Sequence, residues 1–167
     1  MATFDPAIEI VLAHELDPSD PHRIVELPGD TGGLTKYGIA QNKHPDLDVA
    51  SLTLADAKDI YQRRYWRPEY SEIGSQAIAS KLFDFAVNAG PTQAHRALQR
   101  ALRACDAPGI EDDGVLGPRT LFAVNACRVE PLLAALRSEI AGFYRTLAAT
   151  SEARRPFLAG WLRRAYS

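Results

Sequence analysis

The helical spacing of apolar residues beyond residue 53 constrains the fold most strongly. Apolar side chains there recur every three or four positions, which places them on one face of an α-helix that must be buried by packing. The segments with this spacing are 54–66, 75–90, 92–104, 118–128, 131–148 and 153–165. No run of strand-forming residues is long enough for a sheet-based fold. We therefore predict an all-α fold with a small loop or hairpin region near the N-terminus.

A further helix is predicted over residues 6–16, because Asp5 is a good N-cap and Pro6 suits the first helical position. The apolar stripe of this helix continues at helical spacing to Glu15. A carboxylate near the buried face of a helix end is unusual. This position makes Glu15 a candidate for acid–base chemistry.

The segment 17–50 contains four prolines and four glycines and has no long periodic run. A stretch of this length without regular structure in a compact domain is usually functional or disordered. Its centre is "PGDTGGLTKYGIA" at 28–40, in which Gly32 and Gly33 would let the backbone pass close to a sugar. A short hairpin is predicted around "HRIVEL" and "TKYGIA".

Glu15 and this loop together carry the groups that hydrolysis of a glycosidic bond requires. A carboxylic acid kept protonated by a poorly solvated site gives its proton to the leaving oxygen, and a second polar group stabilises the oxocarbenium-like state. Glu15 fits the first role. Asp30 fits the second, with the Thr35 hydroxyl holding the attacking water. Tyr37 offers a ring face to a pyranose, and Lys36 offers a contact for an anion.

Spacing alone makes this a weak pattern, but six blocks of the sequence resemble glycoside hydrolase family 108, the phage-type N-acetylmuramidases. They occur in the family's order over nearly the whole chain: "VLAHE", "PGDTGGLTKYGIA", "AKDIYQRRYWRP", "LFDFAVNAGPTQAHRALQRAL", "DDGVLGPRTLFAVNA" and "RRPFLAGWLRRA". The resemblance implies a lysozyme-like catalytic lobe at 1–90 and a helical, peptidoglycan-binding region at 91–167. It also implies Glu-centred hydrolysis of the β-1,4 link between N-acetylmuramic acid and N-acetylglucosamine.

The resemblance transfers roles to individual positions. Glu15 is the candidate at the end of the first helix and is expected to be the general acid. The family's Glu normally precedes two glycines and an aromatic residue, whereas this chain has Leu16 and Asp17 after Glu15. The loop block matches the family well at Asp30, Gly32, Gly33, Thr35, Tyr37 and Gly38.

Two residues outside the loop complete the expected substrate site. Asn88, in "FDFAVNAG", matches a block that lines the cleft of lysozyme-like folds, and it is expected to contact a sugar amide. Trp66 lies at a helix end before Pro68 and is expected to flank the cleft. By resemblance to phage lysozymes we expect an inverting mechanism, for which the two carboxyl groups lie roughly 6.5–9.5 Å apart.

Other residues have simpler interpretations. Glu26 is a rival carboxylate for which a solvated role is expected, and Asp84 between two phenylalanines is expected to be a buried structural acceptor. Trp161 is predicted to anchor the last helix in the core. No spacing of His, Cys or acidic residues matches a metal site, so neither a metal nor another cofactor is expected.

Charge and the N-terminus indicate partners and location. Residues 137–167 contain six arginines and two glutamates, which suits an anionic polymer or a solvated helix face. A pI near 6.1 argues against nucleic acid. The N-terminus lacks the basic region of a signal peptide, so we expect cytoplasmic synthesis and holin- or secretion-dependent release to the wall. The expected partner is peptidoglycan, bound by a monomer without membrane insertion.

One alternative from a different class stays open at this stage. The altered surroundings of Glu15 are also compatible with a non-catalytic wall-binding or structural protein that retains the family's fold.

Overall fold

The computed structural model describes residues 1–25 and 33–167. These residues form α-helices and one small sheet, which confirms the predicted all-α fold class. The helices are α1 (Phe4–Glu15), α2 (Leu54–Arg64), α3 (Pro68–Ser71), α4 (Gln76–Ala89), α5 (Pro91–Ala104), α6 (Pro118–Ala126), α7 (Val129–Ala149) and α8 (Leu158–Tyr166). The strands are β1 (Ile24–Val25), β2 (Thr35–Lys36) and β3 (Ile39–Ala40). Within the described residues, no helix combines the length and apolar character needed to cross a bilayer.

The described chain divides into two compact units. One is formed by residues 8–66, and the other by residues 1–7 together with 67–167. The boundary that the sequence analysis placed at residue 90 stays a prediction. In this division by compactness α3 and α4 belong to the second unit, because α4 lies against α5 and α7 and buries residues on most of its surface.

The unit of residues 8–66 contains the sheet, whose strands pair antiparallel in the order β1-β2-β3. Strands β2 and β3 are joined by Tyr37 and Gly38, with Lys36 opposite Ile39. Both loop residues have positive φ, 54° at Tyr37 and 78° at Gly38. A two-residue loop with this geometry is a type I′ turn, which favours glycine and matches the twist of the flanking strands. The predicted pairing of "HRIVEL" with "TKYGIA" is present as β1 against β2, and the Tyr37–Gly38 turn forms a further hairpin within "TKYGIA".

Side chains fix the irregular segment that follows the sheet. The Gln41 amide donates to the carbonyls of His44 and Leu47 and accepts from the Val49 backbone N–H. Beyond it, α2 begins with a capping box formed by Thr53 and Asp56. These hydrogen bonds pair backbone N–H and C=O groups that no helix or strand pairs. The segment therefore has a fixed conformation without regular secondary structure.

The larger unit is a helical bundle with aromatic contacts in its core. Phe83 of α4 meets the rings of Phe4 and Tyr70 edge-on at 5.9 and 6.3 Å. Phe85, two residues further along the same helix, contacts the rings of Phe143 and Tyr144 of α7, with centroids 5.3 and 5.7 Å away. Edge-to-face pairs of this kind add to the free energy gained from burial.

A cluster of charges is buried among these helices. The side chains of Lys81, Asp84 and Arg164 are 5%, 2% and 11% exposed. Arg164 donates through Nε to the Asp84 carboxylate at 3.0 Å, and Lys81 Nζ lies 3.8 Å from the same carboxylate. Lys81 also donates to the backbone carbonyl of Arg164. Asp84 is thus a buried acceptor, as the sequence predicted, and it links α4 to α8.

Candidate active site

Glu15 is the last residue of α1 and is half-buried. Its side chain lies against the hairpin turn: a methyl group placed on Gly38 would come within 2.9 Å of both Cγ and Oε2 of Glu15. The same methyl group would come within 2.6 Å of the Tyr61 hydroxyl oxygen. The helix end, the turn and α2 therefore meet at the Glu15 carboxylate, which is removed from bulk solvent on the side of the turn.

Tyr61 holds the turn from the other side. This side chain is 1% exposed and its hydroxyl donates to the Tyr37 carbonyl at 3.1 Å. Because that carbonyl belongs to the turn itself, the hydrogen bond fixes the backbone that faces Glu15. Sequence reasoning named Gly38 only as a match to the family's loop block, and it did not single out Tyr61 for the site. The turn could have been predicted from the sequence, because a glycine-containing pair, Tyr37-Gly38, separates two short strand patterns.

Tyr37 is placed differently from the expectation of an open sugar platform. The residue is 4% exposed, and its hydroxyl forms a 2.7 Å hydrogen bond with His22 Nδ1. The His22 ring meets the tyrosine ring edge-on, and Lys36 Nζ lies 5.4 Å from its centroid. These neighbours occupy the surroundings of the ring, so Tyr37 stabilises the hairpin and presents no free face for stacking.

The remaining loop positions are only partly described. Thr35 is half-buried in β2, and its hydroxyl has a long 3.5 Å contact with the carbonyl of Gly33. Lys36 donates through Nζ to the Ala50 carbonyl at 2.9 Å. Asp30 and Gly32 lie outside the described residues, as does the rival carboxylate Glu26. The separation of the Glu15 and Asp30 carboxyl groups, and with it the expected inverting geometry, therefore stays a prediction.

The two other predicted substrate contacts lie in different units. Trp66 is half-buried just beyond α2 in the unit of residues 8–66, and its backbone N–H donates to the Tyr61 carbonyl at 3.0 Å. Asn88 is exposed near the end of α4 in the larger unit, where its side-chain oxygen accepts from the Tyr144 hydroxyl at 2.8 Å.

A second polar cluster supports the smaller unit beside α2. His44 is 4% exposed and shares hydrogen bonds with the Tyr65 hydroxyl at 2.9 Å and with Arg64 at 3.0 Å. Arg64 also pairs with Asp46. Burial, followed by the positive charge of Arg64, lowers the pKa of His44. The lowered pKa favours the neutral ring, and its hydrogen bonds link the irregular segment to α2.

No metal centre is visible in the described ranges 1–25 and 33–167, where no three His, Cys, Asp or Glu side chains gather in an arrangement that could hold an ion.

Substituting Gly38 with Ala is expected to destabilise the protein and to lower its activity. An L-residue in the left-handed region costs about 1–2 kcal/mol, and overpacking costs about 1–3 kcal/mol more. Because Tyr61 is rigid and buried, the added methyl group must displace Glu15 or the turn. Urea denaturation and a wall-hydrolysis assay measure the two effects.

Gly33→Ala is the matched control for Gly38→Ala. Gly33 also has a positive φ of 67°, but among the described residues its added methyl group would meet nothing closer than 3.9 Å. This variant should show the backbone cost without the clash. Equal losses of stability in the two variants would contradict the close approach of Gly38 to Glu15 and Tyr61.

Comparisons with known proteins agree with this fold. Residues 8–90 match the model of the family described as "Glycosyl hydrolase 108", and residues 93–166 match the model described as "Predicted Peptidoglycan domain". One solved structure that the chain resembles is that of Brucella abortus SagA. That similarity has a TM-score of 0.68 at 24% identity and covers 98% of this chain and 93% of the other. A search of curated proteins found no match.

These matches define the class of the protein as a glycoside hydrolase with a peptidoglycan-related second region. The chain belongs to the glycosyl hydrolase 108 family. Together the two matched regions support a role in peptidoglycan degradation.

Proposed function

We propose that the protein is an N-acetylmuramidase that hydrolyses the β-1,4 link between N-acetylmuramic acid and N-acetylglucosamine, with Glu15 as general acid. The observation that carries this proposal is the position of Glu15. Glu15 is half-buried at a helix end, and its side chain lies against a left-handed turn that leaves no room for a side chain at Gly38. A carboxylic acid held in a fixed position is the group that this reaction needs for proton donation.

In the proposed reaction, Glu15 gives its proton to the glycosidic oxygen as the bond to the anomeric carbon breaks. Asp30 orients a water molecule and accepts its proton as the water attacks the opposite face of the sugar. Thr35 holds that water through its hydroxyl group. The water replaces the leaving alcohol with inversion at the anomeric carbon and leaves one new reducing end. Asp30 then gives the proton it gained to solvent, and Glu15 takes one back, so that both groups return to their starting state.

The proposal assigns secondary roles to the other predicted site residues. Gly32 and Gly33 let the backbone approach the sugar, and Trp66 flanks the bound chain. Lys36 and Tyr37 act mainly by tying the hairpin to its surroundings, since Lys36 donates to the Ala50 carbonyl and the Tyr37 hydroxyl is hydrogen-bonded to His22. Asn88 contacts glycan from the larger unit. We further propose that the protein acts as a monomer on the cell wall after holin- or secretion-dependent release.

A second candidate function is non-catalytic wall binding. It is favoured by the residues that follow Glu15, because Leu16 and Asp17 replace the glycines expected in the family. The match of residues 93–166 to a peptidoglycan domain would serve such a protein equally well.

Analysis of the products separates these functions and tests the cleaved bond. Purified cell walls are digested with the protein, reduced with borohydride and hydrolysed to their sugars. We expect reduced N-acetylmuramic acid to accumulate, because a muramidase leaves that sugar at the new reducing end. Reduced N-acetylglucosamine, or a 1,6-anhydro sugar, would contradict the proposed specificity. Wall binding without any new reducing end would support the non-catalytic function.

A further inference from the structure

An open groove of about 470 Å³ lies in the larger unit. It is bounded by the end of α4, by α7, by the 3₁₀ segment Glu152–Phe157 and by α8. Its volume is within the range of sites that bind small molecules. The proposed hydrolysis assigns a role to only one of its residues, Asn88.

Aromatic rings form the apolar part of this groove. Trp161 stacks on Tyr144 with centroids 5.3 Å apart and planes inclined by 21°. Phe157 stacks on Trp161 in turn, at 5.8 Å and 29°. Phe157 ends this row and is 59% exposed. A large aromatic ring held in place by stacking but open to solvent is a preformed platform for the C–H face of a sugar ring.

Polar groups lie beside this platform. Asn88 lines the groove with its amide, whose oxygen is fixed by the Tyr144 hydroxyl at 2.8 Å. With its oxygen engaged in this bond, the amide has its N–H groups to donate to an acceptor such as an N-acetyl carbonyl. Arg154 also lines the groove and is exposed, and the described residues provide no carboxylate partner for it. The groove thus combines apolar rings, an amide and a positive charge.

We propose that this groove binds the glycan strand of peptidoglycan, with a pyranose ring on Phe157, an N-acetyl group at Asn88 and a muramyl or stem-peptide carboxylate at Arg154. Charge complementarity favours this occupant, because peptidoglycan carries carboxylates next to its N-acetyl sugars and the groove offers a cation next to its rings. The inference rests on the proposed function for its substrate class. It adds a second sugar-binding site, remote in sequence from Glu15, whose role is affinity for the wall.

The test measures binding rather than turnover, so that it is independent of the catalytic proposal. Full-length Phe157→Ala and wild-type protein are titrated with chitotetraose and with a soluble disaccharide-peptide from peptidoglycan, and binding is followed by calorimetry. Loss of one stacked ring is expected to weaken binding of both probes about tenfold. Phe122→Ala is the control, because Phe122 is 76% exposed on α6 and does not line the groove. It should leave both affinities unchanged.

Arg154→Gln tests the position of the carboxylate. We expect weaker binding of the disaccharide-peptide and unchanged binding of chitotetraose, which has no carboxylate. Unchanged affinities in both Phe157→Ala and Arg154→Gln would overturn the proposal. So would a shift of the wild-type protein to a dimer that Phe157→Ala abolishes, since a second copy would then occupy the groove.

The catalytic and binding proposals can fail separately. If Glu15 is not the acid, Glu15→Gln retains hydrolysis while the effect of Phe157→Ala on binding persists. If the groove does not bind glycan, Phe157→Ala matches wild type in affinity while Glu15→Gln still loses hydrolysis.

Discussion

Glu15→Gln is expected to lower the rate of wall hydrolysis by about 10²–10⁴-fold, the usual contribution of a general acid. The amide has nearly the same shape as the carboxyl group but cannot donate a proton in the same way to the leaving oxygen. The fit of residue 15 against Gly38 is therefore kept, and the thermal midpoint should change little. Clearing of a wall suspension and release of reducing ends measure the rate.

Glu9→Gln is the matched control for this variant. Glu9 lies on the same helix, but its side chain is 64% exposed and pairs with Lys58 at the surface. It should keep full activity and lose little stability, since exposed ion pairs contribute less than about 1 kcal/mol. Equal rates for wild type and Glu15→Gln would remove Glu15 as the acid. Wall binding without hydrolysis in the wild-type protein would favour the non-catalytic alternative.

Asp84→Ala is expected to cause the largest loss of stability, about 3–5 kcal/mol. The substitution leaves the charges of Lys81 and Arg164 buried without an opposing carboxylate, although Lys81 keeps its hydrogen bond to the Arg164 carbonyl. Burial already lowers the pKa of Lys81, and the nearby Asp84 carboxylate opposes this by favouring the charged ammonium. Removing the carboxylate therefore removes the group that compensates for the cost of desolvation. Urea denaturation monitored by circular dichroism measures the change in the free energy of unfolding.

Asp59→Ala provides the comparison at the surface. Asp59 also pairs with an arginine, Arg63 at 2.8 Å, but the two side chains are 48% and 76% exposed. We expect a loss of less than about 0.5 kcal/mol for this pair along one helix. Asp84→Asn should retain more stability than Asp84→Ala because the amide oxygen can still accept from Arg164. A loss below about 1 kcal/mol for Asp84→Ala would contradict this prediction, because it would mean that water solvates the charges of Lys81 and Arg164 once the carboxylate is removed.

The sequence predicted the helices well wherever apolar spacing and a terminating residue coincided. The segment predicted as a helix at 75–90 is α4 at Gln76–Ala89, which ends before Gly90 and Pro91. The prediction of one helix at 153–165 was less accurate. Pro156 cannot donate a backbone hydrogen bond, and the chain forms a 3₁₀ turn over Glu152–Phe157 before α8 begins. The spacing of apolar residues does not distinguish a 3₁₀ turn followed by a helix from one continuous helix.

The candidate site was only partly accessible to sequence reasoning. Glu15 could be selected because a carboxylate on an apolar stripe is rare. The glycine-rich loop could be selected because a long irregular segment in a compact domain is usually functional or disordered. The meeting of Glu15 with Gly38 and Tyr61 depends on tertiary packing between segments far apart in sequence, which local patterns do not encode. Tyr37 shows the same limit, since a tyrosine in a loop suggested an exposed ring and the fold buried it.

The close fit at residue 38 has a consequence for how this loop can vary. The hairpin closes only if position 38 lacks a side chain, and the atoms that such a side chain would strike belong to the proposed proton donor and to a buried tyrosine. Foldability and chemistry thus impose the same demand on one position. A mutant library spanning residues 33–40, selected only for correct folding and never for lysis, should therefore return glycine at 38 in nearly every survivor.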